Sequence, residues 1–356
     1  MRTRILTAPH RRPIAVRGEA GSTPHLSPRA NAAAGRGVCP TPSRPGPLRV
    51  RWGYGAGMDV DWVEVSRRAA LVSHRLIGWI FWDPVGIANY AALGVPNGAG
   101  YYLATRAAPL AAAGDQAVTA AFGSIHPGLV RFALDLCRQH TTFEAAAEAR
   151  DRAVAEGLRT HVPEIVDELG GFADELWAAA DALPSAGRVL FGAHRQWPRP
   201  TDDAALSAWL ALNCIREWRG DMHWAVQLAD GLSPTAAGVL DGAWRAYDGD
   251  WLPRSRGADD AMVDAAMAEL AARGFVTDGV VNEAGVRHRQ VLEDRLDELA
   301  ATPWQLLGTE RTTALIDVVV PVADRLLARI DATAGPNWMP AARLRRAPAA
   351  RPVTLA

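Results

Sequence analysis

ALSAWLALNCIREWRGDMHWAVQL, residues 205–228, reads as one long helix whose apolar side chains cover most of its circumference. Leu206, Trp209, Leu210, Leu212, Ile215, Trp218, Met222 and Val226 supply that surface, which places the helix in an interior. Its middle nevertheless carries Asn213, Arg216, Glu217, Arg219, Asp221 and His223. Charged groups among aromatics are costly unless they are paired or given a ligand. Glu217 and Asp221 are four apart and share a face. Arg216, Gly220 and His223 recur at i, i+4 and i+7 on a neighbouring stripe, the glycine leaving room for another backbone or a bound molecule. Two alternatives stay open here: a buried arginine–carboxylate network that locks helices together, or a ligand or metal site.

Outward toward the N-terminus the pattern remains helical. Residues 60–81 carry apolar side chains at helical spacing and stop before Asp83-Pro84. Residues 86–110 parse as a short helix, a loop and a second helix, and 115–122 as another. The run Ser124-Ile125-His126-Pro127 starts a helix to about Gln139 with proline in its first turn. Residues 142–160 and 162–183 follow as two more helices, and 189–198 reads as a connector. No segment shows the period-two alternation of a strand, so 58–230 is an expected α-helical, ligand- or metal-binding bundle.

Past Gly231 the texture changes. Ser233-Pro234 caps a helix to about Tyr247, residues 250–256 make a short second element, and Asp259-Asp260 caps a third helix that ends at Gly274. Two short extended pieces then flank Asp278-Gly279, followed by a helix over 286–300. Helix, helix, helix, hairpin, helix is the order of a winged-helix domain. The expected fold is therefore mainly α: a helical bundle followed by a winged-helix (helix-turn-helix) domain over 231–335. Residues 309–330 close it as a C-terminal helix, and 336–356 form a disordered tail.

Several stretches together carry a family resemblance. ELAARGFVTDGVVNEAGVRHRQVLEDRLDELA, residues 269–300, resembles the recognition-helix end, wing and following helix of MarR-type winged-helix regulators. YYLATRAAPL at 101–110, FGSIHPGLV at 122–130, IREWRGDMH at 215–223, SRG at 255–257 and ATPWQLLG at 301–308 resemble the SCO6745-type actinobacterial helix-turn-helix family, over roughly 58–340. The resemblance implies a DNA-binding fold without settling an activity.

Charge tempers that implication. Residues 1–57 hold ten Arg and one acid, Glu19, a net of +9; with −1 on the whole chain, the remainder carries −10. An acidic body has no global attraction to nucleic acid, and any contact needs a local patch. The third helix of the winged-helix part bears Asp259, Asp260, Asp264 and Glu269 against Arg273 alone. Phosphate contacts would fall to Arg254, Arg256, Arg273, Arg287 and Arg289, which flank that helix and the wing. The bland alternative is a winged helix that serves as a packing or dimerisation module.

In the bundle, His74, His126 and His223 lie on three different helices. With Glu217 nearby, three neutral imidazoles would suit a divalent metal such as Zn. Tyr101, Tyr102 and Arg106 fall within about one and a half turns and suit an anionic or aromatic ligand. Arg106 paired with Glu217 or Asp221 is the equal alternative. No nucleophile elbow, Walker loop, Rossmann glycine fingerprint or HExxH motif occurs in the sequence, which leaves hydrolase, nucleotide and dinucleotide chemistry unsupported.

Three cysteines, Cys39, Cys137 and Cys214, sit in no metal-type spacing. With no apolar run of about 18 residues, the expected setting is the cytoplasm, with no membrane partner. Residues 1–57, with eight Pro and eight Gly, are expected to be disordered, Met58 reading as the true start and the stretch before it as an over-extended gene. Two functions are carried forward: a transcriptional regulator sensing a small molecule or metal through its bundle, and a metal-dependent enzyme using the His74, His126, His223 and Glu217 pocket. The apolar residues of 286–300 and 315–330 suit a homodimer.

Overall fold

Side-chain caps decide where many of the helices begin. In the computed structural model, which describes residues 60–345, the Asp61 carboxylate accepts from the N–H groups of Val63 and Glu64 and opens α1 (Trp62–Gly78). Asp83 caps α2 (Pro84–Ala91), and α3 (Tyr101–Ala107) and α4 (Asp115–Ala121) follow. His126 caps α5 (Pro127–His140) and Thr142 caps α6 (Phe143–His161). After α7 (Val166–Gly170), α8 (Ala173–Ala182) and α9 (Val189–Arg195), Asp203 starts the 26-residue α10 (Ala204–Ala229). A polar side chain that takes up an orphan N–H at a helix start contributes about 1 kcal/mol.

The long helix is the spine of the molecule. Its buried residues run from Ala205 to Gln227, and its walls are α1, α7, α8, α9 and α14 (Glu283–Leu299). Trp209 is fully buried and donates its indole N–H to the Leu76 carbonyl at 3.0 Å, which ties α10 to α1. Truncating such a residue to alanine costs about 3–5 kcal/mol. At the other end Val226 joins a second core with Leu232, Ala236, Leu240, Leu270 and Leu292. One helix thus serves the bundle and the helices that follow it.

Those helices are α11 (Pro234–Trp244), α12 (Trp251–Arg254) and α13 (Asp260–Ala272), the first and third capped by Ser233 and Asp259 as the sequence indicates. Strands β1 (Val276–Thr277) and β2 (Val280–Val281) pair antiparallel, Val276 with Val281 and Thr277 with Val280. Asp278 and Gly279 between them both have positive φ, 50° and 74°, the requirement of a two-residue type I′ turn. Asn282 caps α14, which starts at Glu283, three residues before the expected 286. The described chain is mainly α, a helical bundle followed by a winged helix. The short α15 (Thr302–Leu307) and then α16 (Thr309–Thr333), packed along α1, complete it.

Four expectations need correction. Residues 162–183 form two helices, because the chain turns at Gly170-Gly171, where a Cβ on Gly170 would lie 3.1 Å from that of Ala204. The connector 189–198 contains α9, whose Leu190, Phe191 and His194 are buried. The apolar positions of α16 that suggested a dimer face, among them Leu315, Ile316, Val319 and Leu326, lie in the chain's own core. Residues 336–345, expected as tail, pack back: Met339 is buried where a Cβ on Gly78 would meet its side chain at 2.4 Å, and the Trp338 ring lies tilted against that of Trp82, centroids 5.6 Å apart. The calls on 1–57 and 346–356 lie outside the described residues.

Candidate functional site

Four carboxylates, each shared by two arginines, organise the polar interior. Glu217 on α10 is fully buried and receives Arg106 of α3 through two bonds, Nε to Oε1 at 2.7 Å and Nη2 to Oε2 at 2.6 Å. Arg216 adds a contact to Oε1 at 2.5 Å and reaches Asn213 Oδ1 at 2.9 and 3.1 Å. Burial alone would raise the Glu217 pKa, but Arg106 and then Arg216 outweigh it and hold the carboxyl far below its usual range. A Cβ at Gly220 would sit 3.4 Å from Glu217 Oε2 and 3.7 Å from Arg106 Nη2, so the glycine admits the incoming guanidinium.

Asp241 on α11 and Glu293 on α14 repeat the motif. Asp241 is paired with Arg245 at 3.0 Å and Arg289 at 2.9 Å. Glu293 is paired with Arg289 at 2.6 Å and Arg219 at 2.7 Å. Arg219 continues to Asp297 at 2.8 Å, which also receives Arg67 of α1 at 3.0 Å. Against the effect of burial, Arg289 and Arg219 bring Glu293 down to about 2. Sequence reasoning missed Asp241, Arg245, Glu293 and Asp297. Their signal was present: Asp241 with Arg245, and Arg289 with Glu293, are i, i+4 opposite-charge pairs set among apolar positions.

These networks line one cavity of about 860 Å³. Its apolar walls are aromatic: Phe81, Trp82, Tyr102, Phe122, Trp224, Trp244, Trp251 and Trp338. Tyr102 stacks on Trp82 with ring centroids 5.6 Å apart and receives Arg106 Nη1 on its hydroxyl at 2.6 Å. The bundle contributes α1, α3 and α10; the winged-helix part contributes α11, α14 and the turn after α12; residues 338–345 complete the wall. A volume of this size falls in the range of about 300–1,000 Å³ that encloses drug-sized ligands.

The matched family is decided over the same span, for residues 66–333 fit a helix-turn-helix family. The chain belongs to that helix-turn-helix family. Nothing matches among curated proteins or among solved structures. In this helix-turn-helix protein residues 255–259 join α12 to α13.

Of the ligand residues expected from sequence, Tyr101, Tyr102, Arg106, Arg216 and Arg219 line the cavity. Glu217 and Asn213 stand behind it, holding Arg106 and Arg216. Asp221 points elsewhere: it accepts from the Phe191 N–H at 2.9 Å and so caps α9, and burial pushes its carboxyl up to about 6.

The three histidines do not form a metal set. His74 and His223 line the cavity, whereas His126 caps α5, accepting from the Gly128 N–H. Among the described residues no three of His, Cys, Asp and Glu are grouped to hold a metal ion. Burial, and then Arg216 for His74 and Arg289 for His223, bring these imidazoles to about 3 and about 4. The guanidiniums that add to the effect of burial on these imidazoles also repel a divalent cation.

The arginines expected to meet DNA divide in two. Arg289 is 1 % exposed and belongs to the cavity network, so it cannot reach a phosphate; Arg256 also lines the cavity. Arg273 is tied to Asp230 at 2.6 Å. Arg254 and Arg287 are exposed, the first paired with Asp250 and Asp260 and the second with Glu283. Among the described residues no helix is long and apolar enough to cross a membrane.

Proposed function

We propose that the protein is a ligand-responsive transcriptional regulator of the kind its resemblance to SCO6745-type and MarR-type proteins implies, acting in the cytoplasm on DNA. The observation that supports this reading is the shared construction of the cavity. Bundle helices α1, α3 and α10 and winged-helix elements α11, α14 and the α12–α13 turn all face the same 860 Å³. A small molecule filling it touches both parts at once, so any difference in their arrangement is coupled to occupancy. The junction is tight elsewhere too: the His126 N–H donates to the Arg256 carbonyl at 2.8 Å, joining the start of α5 to the turn before α13.

Arg254 and Arg287 are the exposed cations placed to contact phosphates, exchanging their carboxylate partners for the backbone of the duplex. A mobility-shift titration on the protein's own upstream DNA at 50 and 200 mM salt tests the reading. Affinity is expected to fall steeply with salt, and Arg287→Ala to reduce the slope by about one. Absence of any shift at 50 mM salt overturns DNA binding.

A second reading has its own observation. Asp259, Asp260 and Asp264 are exposed on and before α13, where phosphate repulsion opposes docking. In that case the winged helix is a wall of the pocket, and the pocket belongs to an enzyme. The same titration separates the two.

A further inference from the structure

The bridging carboxylates leave Arg256, in the cavity wall, without a carboxylate of its own. Asp241 is divided between Arg245 and Arg289, Glu293 between Arg289 and Arg219, and Glu217 between Arg106 and Arg216. Arg256 lines the same cavity from the turn between α12 and α13. Among the described residues no side-chain hydrogen bond or ion pair reaches its guanidinium; its main chain alone is engaged, the N–H donating to the Pro253 carbonyl and the carbonyl accepting from the His126 N–H. Asp241, the carboxylate that acts on it most, already holds two other guanidiniums.

A guanidinium that faces a protein cavity without a carboxylate of its own can donate a charge-assisted hydrogen bond to a bound anion. Burial lowers the Arg256 pKa, and Arg245 and Arg106 press in the same direction. Arg256 is also among the charges that, after burial and Arg289, lower the pKa of His223, which lines the same cavity. The walls of the cavity that this cation lines include the aromatic side chains of Trp82, Trp244, Trp251 and Trp338.

We infer that the cavity is a receptor for an aromatic carboxylate, its ring system lying among the tryptophans and its carboxylate taken by Arg256 in a two-bond fork. The inference rests on the reading of the cavity as a ligand site and deepens it, because the residue that meets the anion stands in the turn leading into α13. Ligand charge is thereby read at the helix-turn-helix itself.

Matched fluorescent probes test this: 1-pyrenebutyrate and its neutral counterpart 1-pyrenebutanol, followed by energy transfer from the protein's tryptophans. Wild type is expected to bind the acid at least tenfold more tightly than the alcohol. Arg256→Gln should remove that preference by weakening the acid alone, and Arg256→Lys should keep part of it. The acid-to-alcohol ratio in wild type needs no variant, so a poorly folding mutant does not spoil the test. Equal binding of both probes to wild type, or an unchanged preference in Arg256→Gln, overturns the anion inference and leaves the cavity reading standing. Binding of neither probe overturns both.

Discussion

Arg106 and Glu217 lie 111 residues apart in sequence and meet through two parallel bonds of 2.7 and 2.6 Å, with the carboxylate wholly shut off from solvent. The pair fastens α3 to α10 and fixes one wall of the cavity.

Removing the charge from that pair leaves two guanidiniums facing an amide. Glu217→Gln should therefore destabilise the fold by about 3 kcal/mol, because breaking one partner of a buried pair strands the other. Urea unfolding measures it. A loss below about 1 kcal/mol would mean that Arg106 and Arg216 find water or another acceptor in the cavity.

Asp221 behaves oppositely. Its folded pKa of about 6 lies above the unfolded value, so its favourable contribution exists at low pH and disappears as pH rises through 6. At pH 8 the ionised carboxylate is a cost. Asp221→Asn keeps an acceptor for the Phe191 N–H and should be more stable than wild type by about 1 kcal/mol at pH 8, with the gain shrinking toward pH 5. Parallel stability–pH profiles with no such convergence would refute it.

The desolvated imidazoles set the acid limb. His74, His194 and His223 have folded pKa values of about 3, 4 and 4, below the unfolded value of 6.5. The unfolded chain binds their protons first, so stability should decline as pH falls below about 6.5, before the depressed carboxylates Glu217, Asp241 and Glu293 add their own loss below about 4.5. His74→Gln should make the slope between pH 6.5 and 5 shallower; an unchanged slope would show that His74 does not titrate as described.

Gly257 sits at φ +93° directly after Arg256, and a Cβ there would come within 2.8 Å of both His126 Cβ and Leu129 Cδ1. Gly257→Ala should cost about 1–3 kcal/mol through backbone strain and displace the turn from α5. Melting temperature and acid-over-alcohol probe preference are expected to drop together. A variant as stable as wild type would show that the turn tolerates another conformation.

Helices were legible where their periodicity was long and their caps local. The spine over 205–228, the caps Ser233 and Asp259, and the Asp278-Gly279 turn all stand as the residues indicate, since each is decided within about four positions. The seven-residue α9 was not legible, because it is held by Asp221 from another helix, a cap that no local pattern announces. Arg289 shows the same limit in the site: its spacing from the wing suited a phosphate contact, but its partners Asp241 and Glu293 come together only in the folded chain. His126 looked like a ligand and is a helix cap, a role that the following Pro127 already permitted.

The cavity's walls come from chain segments as remote as Arg67 and Arg345, so no fragment of the protein contains it. Any molecule that occupies it acts as a late staple across the finished topology, recognising only completed copies. By mass action a ligand at a hundred times its dissociation constant would add about 2.7 kcal/mol to the whole cooperative unit. Cells that lack the ligand would then hold a pool of the protein more open to proteolysis, and the abundance of the chain, as well as its activity, would follow the supply of the molecule it binds.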